Sequence, residues 1–145
     1  ENGIMGIETE NMAETFIAVH DAARPLVRAS LISRGWRKGR EEGAAIPVIP
    51  MTDSLRELTS DGSVALDRSR YVRVQTPQVF RGDWLKDAYS GLLRPEMTDD
   101  ASVVEEAGVK VALYEGSETN IKVTNPLDFK IAELLMKENG KEISE

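Results

Sequence analysis

The sequence predicts an α/β fold built on a parallel sheet, and three observations carry that prediction. Thr15-Phe16-Ile17-Ala18-Val19 is a short run rich in β-branched and aromatic residues, as a strand buried on both faces requires. Helical periodicity follows from Leu26 to Arg40, with Leu26, Ala29, Ile32 and Trp36 set between arginines and lysines. Ala44 to Pro50, Ala-Ala-Ile-Pro-Val-Ile-Pro, then supplies a second apolar strand, and strand, helix, strand in this order is the parallel crossover unit.

Taken in order, the first segment, Glu1 to Asn11, places Ile4 and Ile7 at helical spacing and reads as the end of a helix, so the chain is expected to begin within a domain. Pro25 precedes the crossover helix and Gly43 stops it. Pro47 and Pro50 put the second strand near an edge or an end of the sheet. Residues 51–74 change character: Asp53-Ser54-Leu55-Arg56-Glu57-Leu58 and Tyr71-Val72-Arg73-Val74 alternate polar with apolar about a turn at Ser60-Asp61-Gly62-Ser63. This reads as a projecting β-arm, and an isolated two-stranded ribbon is marginal in water, so the arm is expected to pack on a second subunit.

Gly82 to Leu93 carries Trp84, Leu85, Ala88 and Leu92 on one side of a helix, and Thr98-Asp99-Asp100-Ala101 opens another. Val109 to Tyr114 and Ile121-Lys122-Val123 read as strands. Asn125-Pro126 opens a closing helix through Met136, followed by a polar, frayed tail after Lys137. The 145 residues are thus read as one domain, incomplete at its N-terminal side, with the arm at 51–74 within it.

Composition removes several function classes. No run approaches the roughly 20 apolar residues of a membrane span, and the first residues lack the regions of a signal peptide, so a soluble, cytoplasmic protein is expected. The chain has no cysteine, which excludes disulfides, thiolate metal sites and a cysteine nucleophile. A formal charge of −7 argues against a general nucleic-acid binder, although a few cations converging in one cleft still suit a small anionic substrate.

Three constellations can carry chemistry. Val19-His20-Asp21-Ala22-Ala23-Arg24-Pro25 places a carboxylate, small residues and a guanidinium on the turn after a buried strand, where open α/β sheets bind ligands. Asp21 can hold Mg²⁺, a hard cation that prefers carboxylate and phosphate oxygen, and Ala22 lets a nucleotide approach the backbone. The competing reading is a helix-capping Asp21 paired with Arg24. His20 is the single histidine, which rules out a multi-histidine metal site and favours a structural role. Asp67-Arg68, Arg70, Arg73 and Thr76-Pro77-Gln78 form the second group, whose arginines equally suit solvated partners for Asp53 and Glu57. In the third, Asn120-Ile121-Lys122-Val123-Thr124, the lysine either contacts phosphate or faces water. Arg34, Arg37, Lys38 and Arg40 read as a solvated helix face, and Asp99 with Asp100 as helix caps rather than a metal pair.

In order and spacing, these motifs together with Asp53-Ser54-Leu55, Thr76-Pro77-Gln78-Val79-Phe80 and Thr98-Asp99-Asp100-Ala101-Ser102 resemble the 2-C-methyl-D-erythritol 4-phosphate cytidylyltransferases, from about Phe16 to Met136. The resemblance implies a Rossmann-like, mostly parallel sheet and a β-arm exchanged in a homodimer. It also implies cytidylyl transfer from CTP to methylerythritol phosphate in non-mevalonate isoprenoid biosynthesis, with Mg²⁺ as cofactor. Asp21 then matches the Mg²⁺ and nucleotide ligand, Ala22 lies beside the ribose, and Arg24 shapes the nucleotide site. Arg68 and Lys122 match the catalytic cations that position the substrate phosphate, Arg68 acting in the neighbouring subunit's site. Ser54, Thr76 and Asn120 complete the substrate side, Ser54 standing where the family usually has threonine. The family's glycine-rich loop, with its arginine and lysine, has no counterpart in these residues, so the chain alone is expected to be inactive. Ribitol 5-phosphate cytidylyltransferases share the His-Asp-Ala turn but more often carry valine at the position of Ala23. A non-catalytic dimerisation or nucleotide-binding fragment is the reading from a different class.

Overall fold

The computed structural model describes residues 2–91 and 94–142. A short helix α1 (Asn2–Met5) leads to strand β1 (Phe16–Val19), helix α2 (Ala29–Glu42) and strand β2 (Ala44–Pro50). A separate hairpin, β3 (Leu55–Thr59) and β4 (Gly62–Leu66), and a 3-10 turn (Arg68–Arg70) follow. The chain returns through β5 (Val72–Val74) and β6 (Gln78–Arg81) into α3 (Gly82–Tyr89), α4 (Asp100–Glu106), β7 (Ala112–Glu115) and α5 (Pro126–Glu142).

The main sheet is a mixed one, which corrects the expectation of mostly parallel pairing. β6 lies between β1 and β2 and is antiparallel to both, β5 is antiparallel to β2, and only β7 pairs with β2 in parallel. β1, β2 and β7 still point the same way, because the antiparallel β6 separates β1 from β2. β1–α2–β2 is therefore a crossover, but one that skips a strand. Apolar runs alone do not distinguish a parallel neighbour from an antiparallel one when both faces are covered.

Helices do cover both faces. On one side Phe80, Ala44 and Ile46 pack with Leu85 and Ala88 of α3 and Ala101 and Val104 of α4. On the other, Leu31 of α2 packs with Ala45 and Tyr114. The buried face of α2 is Leu31, Gly35 and Gly39, not the expected stripe through Ile32 and Trp36, and Ile32 is exposed. The two glycines let the helix axis approach the sheet: a Cβ on Gly39 would come within 2.5 Å of Val79 Cγ1, and one on Gly35 within 2.6 Å of the Tyr114 hydroxyl. Gly39→Ala is therefore expected to lower unfolding free energy by about 1–3 kcal/mol in urea titration, although alanine is the better helix former. Equal or higher stability would show that Val79 yields at no cost. Gly43 ends α2 at φ 83°, and its N–H donates to the Gly39 carbonyl.

Proline marks the junction that makes the site. β2 is central rather than an edge strand, paired to β5 and β6 on one side and β7 on the other. Between the pairs Ala45↔Val79 and Val48↔Val74, β2 spends Ile46 and Pro47 while the opposite chain spends Gln75, Thr76, Pro77 and Gln78. The two extra residues form a bulge. Pro47, which has no N–H to offer the ladder, sits opposite it, and its carbonyl accepts from the Gln75 N–H at 2.8 Å.

Several element boundaries differ from expectation. The arm's second strand is Gly62–Leu66, while Tyr71 to Val74 rejoins the main sheet, so the hairpin occupies only part of 51–74. Residues 109–111 and 121–123 are not strands, and α5 continues through Glu142 rather than fraying after Lys137. Leu92 and Leu93 of the expected third helix, Glu1 of the opening segment and the end of the tail lie outside the described residues. Among the described residues no helix is long and apolar enough to cross a membrane.

Candidate functional site

β1 runs out at Val19, opposite Gln78, just where the bulge begins. The chain beyond β1 therefore passes beside Thr76, and the Asp21 N–H donates to Thr76 Oγ1 at 3.0 Å. The segment after β7 closes from the other side, with the Val123 N–H donating to the Ala23 carbonyl at 2.8 Å. All three stretches lie at the carboxyl ends of β1, β2 and β7, where open α/β sheets hold ligands.

Tertiary structure thus brings together Asp21, Arg24, Thr76, Asn120 and Lys122 from three separate motifs. Asp21 Oδ2 accepts from Arg24 Nε at 3.2 Å and lies 3.2 Å from Lys122 Nζ. Arg24 is nearly buried and locked, with Nη1 donating to the Asn120 carbonyl at 2.8 Å and Nη2 to the Val74 carbonyl at 3.4 Å. Lys122 has a half-exposed side chain with Asp21 as its ion-pair partner, and such a pair holds little free energy in water. Arg24 is a fixed charge; Lys122 is a mobile one. Both line a cavity of about 380 Å³ together with Asp21, Thr76, Gln78, Thr98, Asp99 and Asp100.

Asn120 is fully buried, so its side chain braces the site instead of facing a ligand: Nδ2 donates to the Thr76 carbonyl at 2.8 Å. Sequence reasoning missed the other braces. Gln75 bonds both the N–H and the carbonyl of Ser117, and the Tyr114 hydroxyl donates to the Pro77 carbonyl at 2.6 Å. Burial raises the Tyr114 pKa beyond its ordinary range, so the donor keeps its proton. Gln78 is buried and spans the gap to α4, donating to Asp99 Oδ2 at 2.8 Å and accepting from the Ala101 N–H at 3.0 Å. The Thr-Pro-Gln motif contained Gln78, but nothing in the sequence pairs Tyr114 with Pro77.

Asp99 is the N-cap of α4 in a full capping box with Ser102, as the helix-cap reading held. Asp99→Ala removes that cap and leaves the Gln78 amide without its acceptor, so stability should fall by about 2 kcal/mol in urea titration. A change within a few tenths would mean the amide finds another partner.

Other candidates lie apart. Ala22 is exposed and lines an apolar cavity of about 420 Å³ against Phe129, Ala132 and Met136 of α5. Ser54 is exposed at the foot of the arm. Arg68 is exposed on the 3-10 turn, its guanidinium bonded to the Thr52 carbonyl, and among the described residues none of the bonds around Asp21 reaches it. The arm itself is solvated on both faces, with Leu58 86% exposed and Val64 55%.

Among the described residues no three carboxylate or imidazole side chains gather as a metal-binding set. Asp21 Oδ1 has no hydrogen-bond partner there, whereas Oδ2 is taken by Arg24 and Lys122. Mg²⁺ commonly takes one or two carboxylates and completes its shell with phosphate oxygens and water, so Asp21 fits a cation delivered with a nucleotide.

The profile described as 2-C-methyl-D-erythritol 4-phosphate cytidylyltransferase matches residues 1–138. The protein of that name from Porphyromonas gingivalis is 50% identical over 121 residues, covering 83% of this chain and 54% of its own length. The one from Bacteroides thetaiotaomicron is 42% identical over 136 residues, covering 94% and 60%. Among solved structures, the Thermus thermophilus enzyme superposes with a TM-score of 0.75 at 36% identity, covering 84% of this chain and 62% of that one. The Francisella tularensis enzyme gives 0.79 at 29% identity, with 90% and 63% covered. The chain thus spans little more than half the length of these relatives. A profile match over nearly all of the sequence means that this chain belongs to the 2-C-methyl-D-erythritol 4-phosphate cytidylyltransferase family.

Proposed function

We propose that the protein carrying this chain transfers the cytidylyl group of CTP to 2-C-methyl-D-erythritol 4-phosphate. An oxygen of the methylerythritol phosphate attacks the α-phosphorus of CTP and forms the new P–O bond. The bond between the α-phosphorus and its bridging oxygen to the β-phosphate breaks, giving pyrophosphate and 4-diphosphocytidyl-2-C-methyl-D-erythritol. The observation that carries this reading is the pairing of mobile Lys122 with Asp21 beside fixed Arg24, on a cavity at the strand ends.

Two anions must meet in this reaction, so catalysis is largely positioning and charge neutralisation. Lys122 leaves its weak pair with Asp21 to meet a phosphate, and Asp21, so released, faces the nucleotide. Mg²⁺ bound by Asp21 and the phosphates would neutralise further charge. Arg24 holds Asp21 in place, and Asn120 holds the Thr76 segment from below. Ala22 admits the ribose. Ser54 and Arg68, remote from this cavity within one chain, serve a second copy through the arm in a homodimer; the exposed Leu58 and Val64 on both arm faces support that arrangement. The reaction belongs in the cytoplasm, where CTP is present.

The test is Mg²⁺- and CTP-dependent pyrophosphate release by the protein expressed from its complete gene, with methylerythritol 4-phosphate and ribitol 5-phosphate offered in parallel. Release with the first alone is expected. Release only with ribitol phosphate would replace the acceptor, and release with neither would point to a binding role.

A further inference from the structure

His20 touches the site through two bonds that together fix the direction of a third. Its Nε2 lies 3.1 Å from the Arg24 carbonyl, and its Nδ1 lies 2.8 Å from Thr76 Oγ1. A carbonyl oxygen can only accept, so Nε2 carries the proton of the neutral ring. Nδ1 then holds a lone pair and accepts the Thr76 hydroxyl proton. The same oxygen already accepts the Asp21 N–H at 3.0 Å. Thr76 Oγ1 is left with one lone pair and no proton to give, on the wall of the cavity it shares with Asp21 and Lys122.

We propose that His20 is a positioning residue that fixes Thr76 as a hydrogen-bond acceptor, so that Thr76 reads a ligand hydroxyl and not a phosphate oxygen. A phosphate oxygen set against that lone pair would meet an acceptor with an acceptor, whereas an aliphatic hydroxyl donates to it. Phosphates are therefore directed to Lys122, and a hydroxyl-bearing carbon lies at Thr76. Such a hydroxyl comes either from the nucleotide ribose or from the polyol phosphate. The identity of the ligand rests on the transferase reading above; the direction of the hydrogen bonds does not.

The chain has a single histidine, so its imidazole nitrogens can be observed without overlap. In long-range ¹⁵N–¹H spectra of the labelled chain, Nε2 should appear protonated and Nδ1 bare. Thr76→Val should move the Nδ1 resonance toward that of a free imidazole nitrogen and leave Nε2 in place. A proton on Nδ1, or an Nδ1 resonance indifferent to Thr76→Val, overturns the assignment.

Kinetics on the protein from the complete gene supply the second arm. Wild type is compared using CTP against its 2′-deoxy form, and methylerythritol phosphate against an analogue lacking one hydroxyl. One of these pairs should show a preference of roughly tenfold, expressed mainly in KM, and that pair names the source of the hydroxyl. Thr76→Val and His20→Phe should abolish the preference, whereas His20→Asn should retain it, because its amide oxygen takes the place of Nδ1 as acceptor. A preference that survives His20→Phe, or is absent in wild type, overturns the proposal. Should no transfer occur while the tautomer is as expected, the reaction fails alone, and calorimetric binding of CTP against its 2′-deoxy form and of methylerythritol phosphate against the analogue lacking one hydroxyl decides the source: equal affinities within both pairs overturn the proposal.

Discussion

Lys122→Ala, in the protein expressed from its complete gene, is expected to slow CTP-dependent pyrophosphate release by at least about a hundredfold, equivalent to about 3 kcal/mol of transition-state stabilisation. The reason lies in the division of labour between the two cations of the cavity. Arg24 spends its guanidinium on Asp21 and on the carbonyls of Asn120 and Val74, so it cannot follow a substrate. Lys122 is half exposed, has one salt-bridge partner and reaches the same cavity. Of the two cations described in this cavity, Lys122 is the one free to follow the charge that builds as two phosphates approach. Its loss should therefore appear in kcat more than in KM. Lys122→Arg should recover only part of the rate, since a planar fork does not substitute for a mobile point charge. Lys137→Ala, on the exposed surface of α5 and paired with Glu133, is the control and should leave the rate unchanged. An unaltered rate in Lys122→Ala would remove this residue from the reaction.

Phe80→Ala is expected to lower unfolding free energy by about 3–5 kcal/mol. Phe80 is fully buried, pairs with Ile17 of β1 and with Ala44 of β2, and packs under α3 and α4. A cavity there cannot collapse readily, because strands on both sides hold the backbone at fixed spacing. Since domains of this size are stable by only about 5–15 kcal/mol, much of the population should unfold at modest urea. Leu58→Ala, on the arm tip, should change the same midpoint by no more than a few tenths of a kcal/mol in a monomer. If the two truncations cost the same, the core assigned to Phe80 is wrong.

Gly43 as the stop of α2, Asp99 as the cap of α4 and the apolar run of β2 were readable because each depends on local chemistry: a left-handed turn, an orphan N–H, or burial on both faces. β1, expected to be buried on both faces, is instead a half-buried edge strand with Ala18 exposed, because among the described residues β6 pairs with it on one side and no strand pairs on the other. The buried stripe of α2 was misread because its face to the sheet is made of Gly35 and Gly39, which carry no hydrophobic signal. β5 was placed in the arm because Tyr71 to Val74 alternates like an exposed hairpin strand; pairing with Val48 to Pro50 puts it in the main sheet. The cluster of Asp21, Arg24, Thr76 and Lys122 was legible as a list of motifs but not as a geometry.

What the sequence by itself determined is the set of residues able to do phosphate chemistry and the family to which the chain belongs, because residue types in a fixed order are a chemical inventory. Only the tertiary structure decided which of those residues face the cavity and which stand behind it. Thr76 reaches Asp21 because a two-residue bulge opposite Pro47 lifts it past the end of β1, and Asn120 is held inward by the Thr76 carbonyl. Those contacts join residues 55 and 44 positions apart, and no local periodicity encodes a bond that closes only when the sheet has formed.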